Sequence, residues 1–420
     1  MKSIFFALCI LFITSCSHEI DEGVRRQTDD KGVVITTPYL WKKSLHLNEI
    51  APNGFIIPQV HYKNGVLIPM TDGENHMFSL IDTDNGKTLW DWADEFSPKR
   101  PNMYIDYYHQ YGNLITFVDG SRSYCLNMDQ GTTQWKHQHP LSFHIFASGI
   151  NEAFFIHGQP FNPSNEYYSS TTFKGNMLTG FIEEFITPNF IFSIAPGNRI
   201  GDVTATLYCE LNEKPYLAVI WQEPVDHFDW QTYLGLYDYQ SDEWIYEKEI
   251  MNVPSSSGVL FPPPKIYNHK VYANVGSSIV CHDLITGKQL WKKDFINDFM
   301  FSGFIIEDGR LIGNNEDLFT ICLDPETGNE LWRVRTAGTC GRPSYLNGIV
   351  YFAGGSDSKL YAIEAGSGKI VWKINPVLLG EGYDAQFRYN AIYTLPAKEG
   401  QPAKVIALSN LYAYCFEAYK

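Results

Sequence analysis

Charge is scarce in this 420-residue chain, and positive charge is scarcer still. Asp, Glu, Lys and Arg together make up 19% of residues, with 32 Lys plus Arg against 47 Asp plus Glu. The formal net charge of −15 disfavours a nucleic-acid partner, because phosphate binding needs a basic surface. Beyond the first residues, no stretch holds the ~18 consecutive apolar residues that a spanning helix needs. No Cys-x-x-Cys, His-Glu-x-x-His or Gly-x-Ser-x-Gly occurs, and no two cysteines are adjacent. The common thiol-redox, zinc-hydrolase and serine-hydrolase signatures are therefore missing. His137 and His139 flank Gln138 without a nearby carboxylate, which reads as a surface strand and not as a metal grip. Aromatics, by contrast, are abundant at 15%, and they suit pleated, half-buried surfaces, so an all-β fold is expected.

Residues 1–15 (MKSIFFALCILFITS) have one Lys and then an apolar run too short to cross a bilayer. Ile13-Thr14-Ser15 precedes Cys16. This resembles a bacterial lipobox, which implies that Cys16 is lipidated and that the chain is held at a membrane, as an outer-membrane lipoprotein on the periplasmic side or at the cell surface. Residues 16–35 read as a flexible tether, with a polar, charged composition. The acidic residues after Cys16 also resemble the surface-export signal of some Bacteroidetes-type lipoproteins; a solvated linker is the preferred reading.

A repeat runs through the remainder, residues 36–420. Five segments align without gaps: LIDTDNGKTLW, CLNMDQGTTQW, CHDLITGKQLW, CLDPETGNELW and AIEAGSGKIVW. Each has an acid or Asn at the third place (Asp82, Asn127, Asp283, Asp324, Glu364). Gly stands at the seventh place (Gly86, Gly131, Gly287, Gly328, Gly368) and Trp at the eleventh (Trp90, Trp135, Trp291, Trp332, Trp372). The pattern is a β-hairpin: an acid caps the turn amides, Gly supplies positive φ, and Trp offers a flat surface to an adjacent unit. Further hairpins such as YKNGVLIPM and YLNGIVYFA lie upstream, giving about four short strands per unit. The acids and tryptophans are thus read as structural, and no catalytic residue is assigned.

The repeat resembles that of pyrroloquinoline-quinone-type (PQQ-like) β-propellers. The resemblance implies an all-β, eight-bladed propeller, with seven blades as the alternative. Asp238, Asp242 and Tyr246 fit a worn copy of the motif, whereas residues 143–187 show strands without it. Cys415 and Glu417 begin a copy that the C terminus cuts short, and Leu40-Trp41-Lys42-Lys43 matches Leu290-Trp291-Lys292-Lys293. The N-terminal strand, with Trp41 in the docking place, is therefore expected to complete the last blade and close the ring. Cys125, Cys281, Cys322 and Cys415 share the first repeat place and read as small buried hydrophobes.

Quinoprotein dehydrogenases resemble the chain in this repeat, but they hold their quinone between a Trp and an adjacent Cys-Cys disulfide. No such pair exists here, so neither quinone nor calcium is expected. The outer-membrane assembly lipoproteins of the BamB type resemble it in lipobox, size and blades, which implies a monomeric, non-catalytic scaffold. Its partner would be an envelope protein, or alternatively a glycan or small ligand. Two segments interrupt the blades, 157–172 and 222–233. Read as loops, they offer Phe161, Tyr167, Tyr168, His227, Phe228 and Trp230 as candidate binding residues, because aromatics on loops often carry binding.

Overall fold

The computed structural model describes residues 24–28, 34–45, 59–71, 76–93, 108–119, 121–139, 141–160, 168–190, 199–225, 229–252, 254, 263–295, 303–338, 340–375 and 386–419. Cys16 and the first 23 residues lie outside this set.

The described strands form eight blades, each a four-stranded antiparallel sheet whose strands are lettered a to d in sheet order. Blade one holds His61–Tyr62, Gly65–Thr71, His76–Asp82 and Thr88–Ala93. Blade two holds Tyr108–Tyr111, Leu114–Asp119, Arg122–Asn127 and Thr132–Gln138. Leu141–Ile150, Ala153–Pro160, Thr171–Asn176 and Ile182–Ile186 make blade three. Arg199–Leu211, Lys214–Pro224, Trp230–Asp238 and Glu243–Ile250 make blade four. Blade five is Lys265–Tyr267, Lys270–Val275, Ser278–Asp283 and Gln289–Asp294. Blade six is Phe304–Glu307, Arg310–Asn315, Phe319–Leu323 and Glu330–Arg335. Blade seven is Ser344–Leu346, Ile349–Ala353, Leu360–Glu364 and Ile370–Ile374. Blade eight takes Phe387–Leu395, Lys404–Ser409 and Tyr412–Glu417 from the C terminus and Val34–Ser44 as its strand d. The eight-bladed reading holds over the seven-bladed one.

Closure is by backbone pairing of the two ends: Trp41 lies opposite Cys415 and Lys42 opposite Tyr414. Blade eight is then clasped to blade one. Trp41 Nε1 donates to Thr83 O at 3.0 Å, Lys404 Nζ lies 2.5 Å from Asp84 Oδ1, and Tyr393 donates its hydroxyl to Leu67 O. Part of the segment read as tether is also paired. Val24–Thr28 folds back along strand d of blade eight, from Val24 opposite Pro38 to Thr28 opposite Val34. At Gln27 it reaches Ile374 on strand d of blade seven.

Strands b and c supply most of the buried apolar side chains, and those clusters lie between neighbouring blades. Strands d alternate exposed with half-buried residues, as outer strands do. The docking rule is visible at six of the motif turns among the described residues. Indole N–H groups of Trp90, Trp291 and Trp332 donate to Met128 O, Pro325 O and Ala365 O at 2.8, 2.9 and 2.9 Å. Each acceptor is the residue just after the turn acid of the next blade. Tyr246 does the same with its hydroxyl, to Leu284 O at 2.8 Å.

Blade three carries the motif after all. Asn176 Oδ1 accepts from the amides of Leu178 and Thr179, and Gly180 N donates to Asn176 O at 2.8 Å. Trp135 of blade two docks there, at Met177 O. The Trp place of blade three, however, is Glu184. Its contact with blade four is built instead from Phe155, Phe185, Tyr237 and Tyr239, with edge-on and stacked rings about the same centre.

All six described cysteines are free and buried. Burial pushes the thiol of Cys125 up to about 11 and those of Cys209, Cys281 and Cys322 up to about 12.

Candidate functional site

Blade four is longer than its neighbours. Its strands a, b and c run 13, 11 and 9 residues, whereas b and c of blade five run 6 each. The c–d turn at Asp238 is held in line with the other blades through the Tyr246 contact, so the extra residues extend the opposite, b–c end. At about 3.3 Å per residue, an excess of roughly five residues in strand b adds on the order of 15 Å. The expected loop 222–233 is thus corrected: it is the end of a hairpin whose last pair is Pro224 with Trp230. Gln222, Glu223, Gln231 and Thr232 are buried, although their polarity reads as a loop in the sequence. Beyond the last pair, Val225 N donates to Asp229 O at 2.9 Å.

The hairpin end is stiffened from within. Trp221 stacks on Tyr233 and donates its Nε1 to Glu223 Oε1 at 3.1 Å. Lys248 on strand d brings its ammonium 2.7 Å from the same oxygen and over the Tyr233 ring. A carboxylate this buried persists because a cation and an indole N–H face it. Burial, then the Glu223 charge, holds the Tyr233 hydroxyl above its ordinary pKa. Gln231 donates to Asn252 O, and Asn252 Nδ2 donates onward to Val275 O of blade five at 3.1 Å.

The other expected loop, 157–172, is corrected in the same way. His157 is buried in strand b of blade three, and Thr171 and Thr172 lie in its strand c. Between them, Tyr168–Ser169 pairs in parallel with strand a of blade four, Tyr168 opposite Arg199 and Ser169 opposite Gly201. Two blades are thereby spliced at one end. A Cβ at Gly201 would collide with the ring of Phe190, so the close approach needs glycine. Beneath the splice runs a polar seam: Thr172 with Thr206 at 3.0 Å, and Ser148 Oγ donating to Thr206 O at 2.9 Å.

Both segments are b–c connections of successive blades, so they open on the same face. Of the expected binding residues, Trp230 is half-buried at the hairpin end beside Val225, which is 45% exposed. Tyr168 is placed by its backbone pairing with strand a. Phe161, Tyr167, His227 and Phe228 lie outside the described residues. Sequence reasoning missed Trp221, Glu223, Tyr233 and Lys248. The two-residue spacing of Val219, Trp221 and Glu223, repeated on strand c by Gln231 and Tyr233, is the signal that marks strands there.

Among the described residues no three His, Cys, Asp or Glu gather as a metal site. His139 Nε2 lies 2.6 Å from Ser123 Oγ, and His137 stacks on Trp135.

Comparison with known proteins agrees with this architecture. Residues 275–381 match a family model described as outer membrane protein assembly factor BamB. No curated protein matches the chain by sequence. Among solved structures, BamB from Moraxella catarrhalis is similar at 11% identity and a TM-score of 0.57, over 91% of this chain and all of that one. Quinohemoprotein alcohol dehydrogenase from Comamonas testosteroni is similar at 10% and 0.58, over 90% of this chain and 76% of that one. Sqt1 from Saccharomyces cerevisiae is similar at 10% and 0.58, over 90% and 99%. At these identities the likeness is one of fold.

Proposed function

We propose that the chain is a non-catalytic scaffold of the cell envelope, anchored through lipid on Cys16, that holds a protein partner at the b–c end of blades three and four. The observation that carries this reading is the extended, internally braced hairpin end bearing Val225 and Trp230. Rigid scaffolds bind at such projections because little ordering entropy is lost. The BamB-like match over residues 275–381 and the lipobox support an outer-membrane location. The likeness to alcohol dehydrogenases is one of fold, and the sequence has no adjacent cysteine pair of the kind that quinoprotein dehydrogenases place against their quinone.

A photo-crosslinking residue at Val225, in intact envelopes, tests the site. A discrete protein adduct is expected at 225, lost when Trp230→Ala is added. A residue at exposed Gln134, on the outer strand of blade two, serves as the control. Equal adducts at both positions, or none at 225, would remove the site. A quinone absorbance retained after incubation with the quinone and calcium would instead favour the enzyme reading.

A further inference from the structure

The outer strands of the ring are charged unequally. Strand d of blade eight (VITTPYLWKKS), strand d of blade seven (IVWKI) and the paired Val24–Thr28 (VRRQT) hold Arg25, Arg26, Lys42, Lys43 and Lys373 and no acid. Strands d of blades three (IEEFI) and four (EWIYEKEI) hold Glu183, Glu184, Glu243, Glu247 and Glu249 against Lys248 alone. In a ring of eight, blades seven and eight stand opposite blades three and four. The molecule, acidic overall, is therefore polarised across its diameter. On the basic rim, the Lys42 ammonium rests 3.7 Å above the Tyr412 ring, and that of Lys373 sits 5.0 Å from the Tyr361 ring.

The tether ends on that same rim. Val24 is already paired to Pro38, and only seven residues, or eight Cα–Cα steps, separate it from Cys16. Fully extended, those residues span at most about 29 Å. Each blade is four strands wide, or roughly 15 Å from first to last strand, so the far rim lies more than about 30 Å from the attachment point. A lipid on Cys16 holds the rim of blades seven and eight within about 29 Å of the bilayer, whereas blades three and four lie across the ring from the attachment point.

We infer that the rim of blades seven and eight docks on an anionic phospholipid surface, so that the ring stands edge-on with blades three and four pointing outward. The inference rests on the reading that Cys16 carries lipid. Electrostatic attraction of this kind acts within a Debye length of about 8 Å at physiological salt, and a tether of at most about 29 Å keeps the rim close enough to sample that range repeatedly. The outcome suits the proposed binding end, since blades three and four are then the part presented to partners.

The test uses the lipidated chain on vesicles. The six described cysteines are buried, so a cysteine placed at exposed Ser44 or Phe181 takes a fluorophore selectively. Headgroup-nitroxide lipid in phosphatidylglycerol vesicles should quench the label at 44 several-fold more than the label at 181. Lys42→Glu with Lys43→Glu and Lys373→Glu should erase that difference while the protein still floats with the vesicles. Equal quenching at the two positions in floating wild-type protein would overturn the orientation and leave the anchor intact. An unchanged preference on phosphatidylcholine vesicles would overturn the charge argument. Wild-type protein that does not float would overturn the lipid anchor itself, and the orientation with it.

Discussion

The indole ring of Trp291 lies flat on Gly328 of the next blade. A Cβ on Gly328 would sit 2.6 Å from Trp291 Cε3, and the backbone there has φ +72°. The Trp291 N–H meanwhile donates to Pro325 O. One glycine therefore serves two needs, a left-handed turn and a bare surface for the ring. Gly86 serves Trp41 and Gly368 serves Trp332 in the same manner.

Trp291→Ala should cost about 2–4 kcal/mol in urea melts, below the range for fully buried Trp truncations because the ring is half-buried. Gly328→Ala should cost about 2–4 kcal/mol, combining overpacking with a left-handed alanine. Made together they should cost less than their sum by about 1 kcal/mol or more, because the clash leaves with the ring. Strict additivity would show that the ring and the turn are not coupled.

Ring closure should be sensitive to acid. The Lys404 ammonium beside Asp84 holds that carboxyl at about 2, below the usual 3.8. A depressed carboxyl stabilises the fold fully above its unfolded pKa and loses that effect as pH falls through the folded one. Stability should therefore drop between about pH 4 and pH 2, and Lys404→Met should flatten that part of the profile. An identical acid limb in the variant would assign the effect to other carboxylates.

At high pH the thiols act in the opposite sense. Their folded values stand at about 11 to 12 against 9.0 for the free group. Above pH 9 the unfolded chain sheds these protons and the native one does not, so stability falls as pH rises toward 12. Each such thiol adds a slope of about 1.4 kcal/mol per pH unit in that window. Ellman titration at pH 8 should find them unreactive until denaturant is added; rapid reaction of the native protein would contradict the burial.

Glu223→Gln should destabilise the hairpin end by about 1–3 kcal/mol, the discount reflecting that Lys248 keeps partial solvent contact. Lys248→Met in the same chain should recover part of the loss, since no stranded ammonium remains. Denaturant melts of the single and double variants decide this; a worse double variant would mean that the Lys248 stem packs more than it pairs.

The regular blades were legible because their motif states a turn, a cap and a docking ring in eleven residues. Trp41 was legible as a closing residue because Leu40-Trp41-Lys42-Lys43 repeats the sequence of blade five. Blade three was harder: Asn176 and Gly180 keep the spacing, but Glu184 stands where Trp is expected, and the aromatics that replace it come from unrelated places. The candidate site was located only in outline. Buried polar residues such as Glu223 and Gln231 look like loop residues until their partners, Lys248 and Asn252, are seen in space. A single sequence does not show which distant strand supplies those partners.

The parallel splice at Tyr168–Ser169 has a consequence for how the chain can be cut. Chain from the b–c connection of blade three adds a fifth strand to the inner edge of blade four, so blade four's sheet depends on its neighbour at that end. Circular permutation with new termini between blades five and six would sever only a connection, and each side would keep its four strands. Termini introduced within 161–167 would instead strand an edge of one blade inside its neighbour. The ring is modular around much of its circumference, but at blades three and four a four-stranded and a five-stranded sheet share one segment of chain.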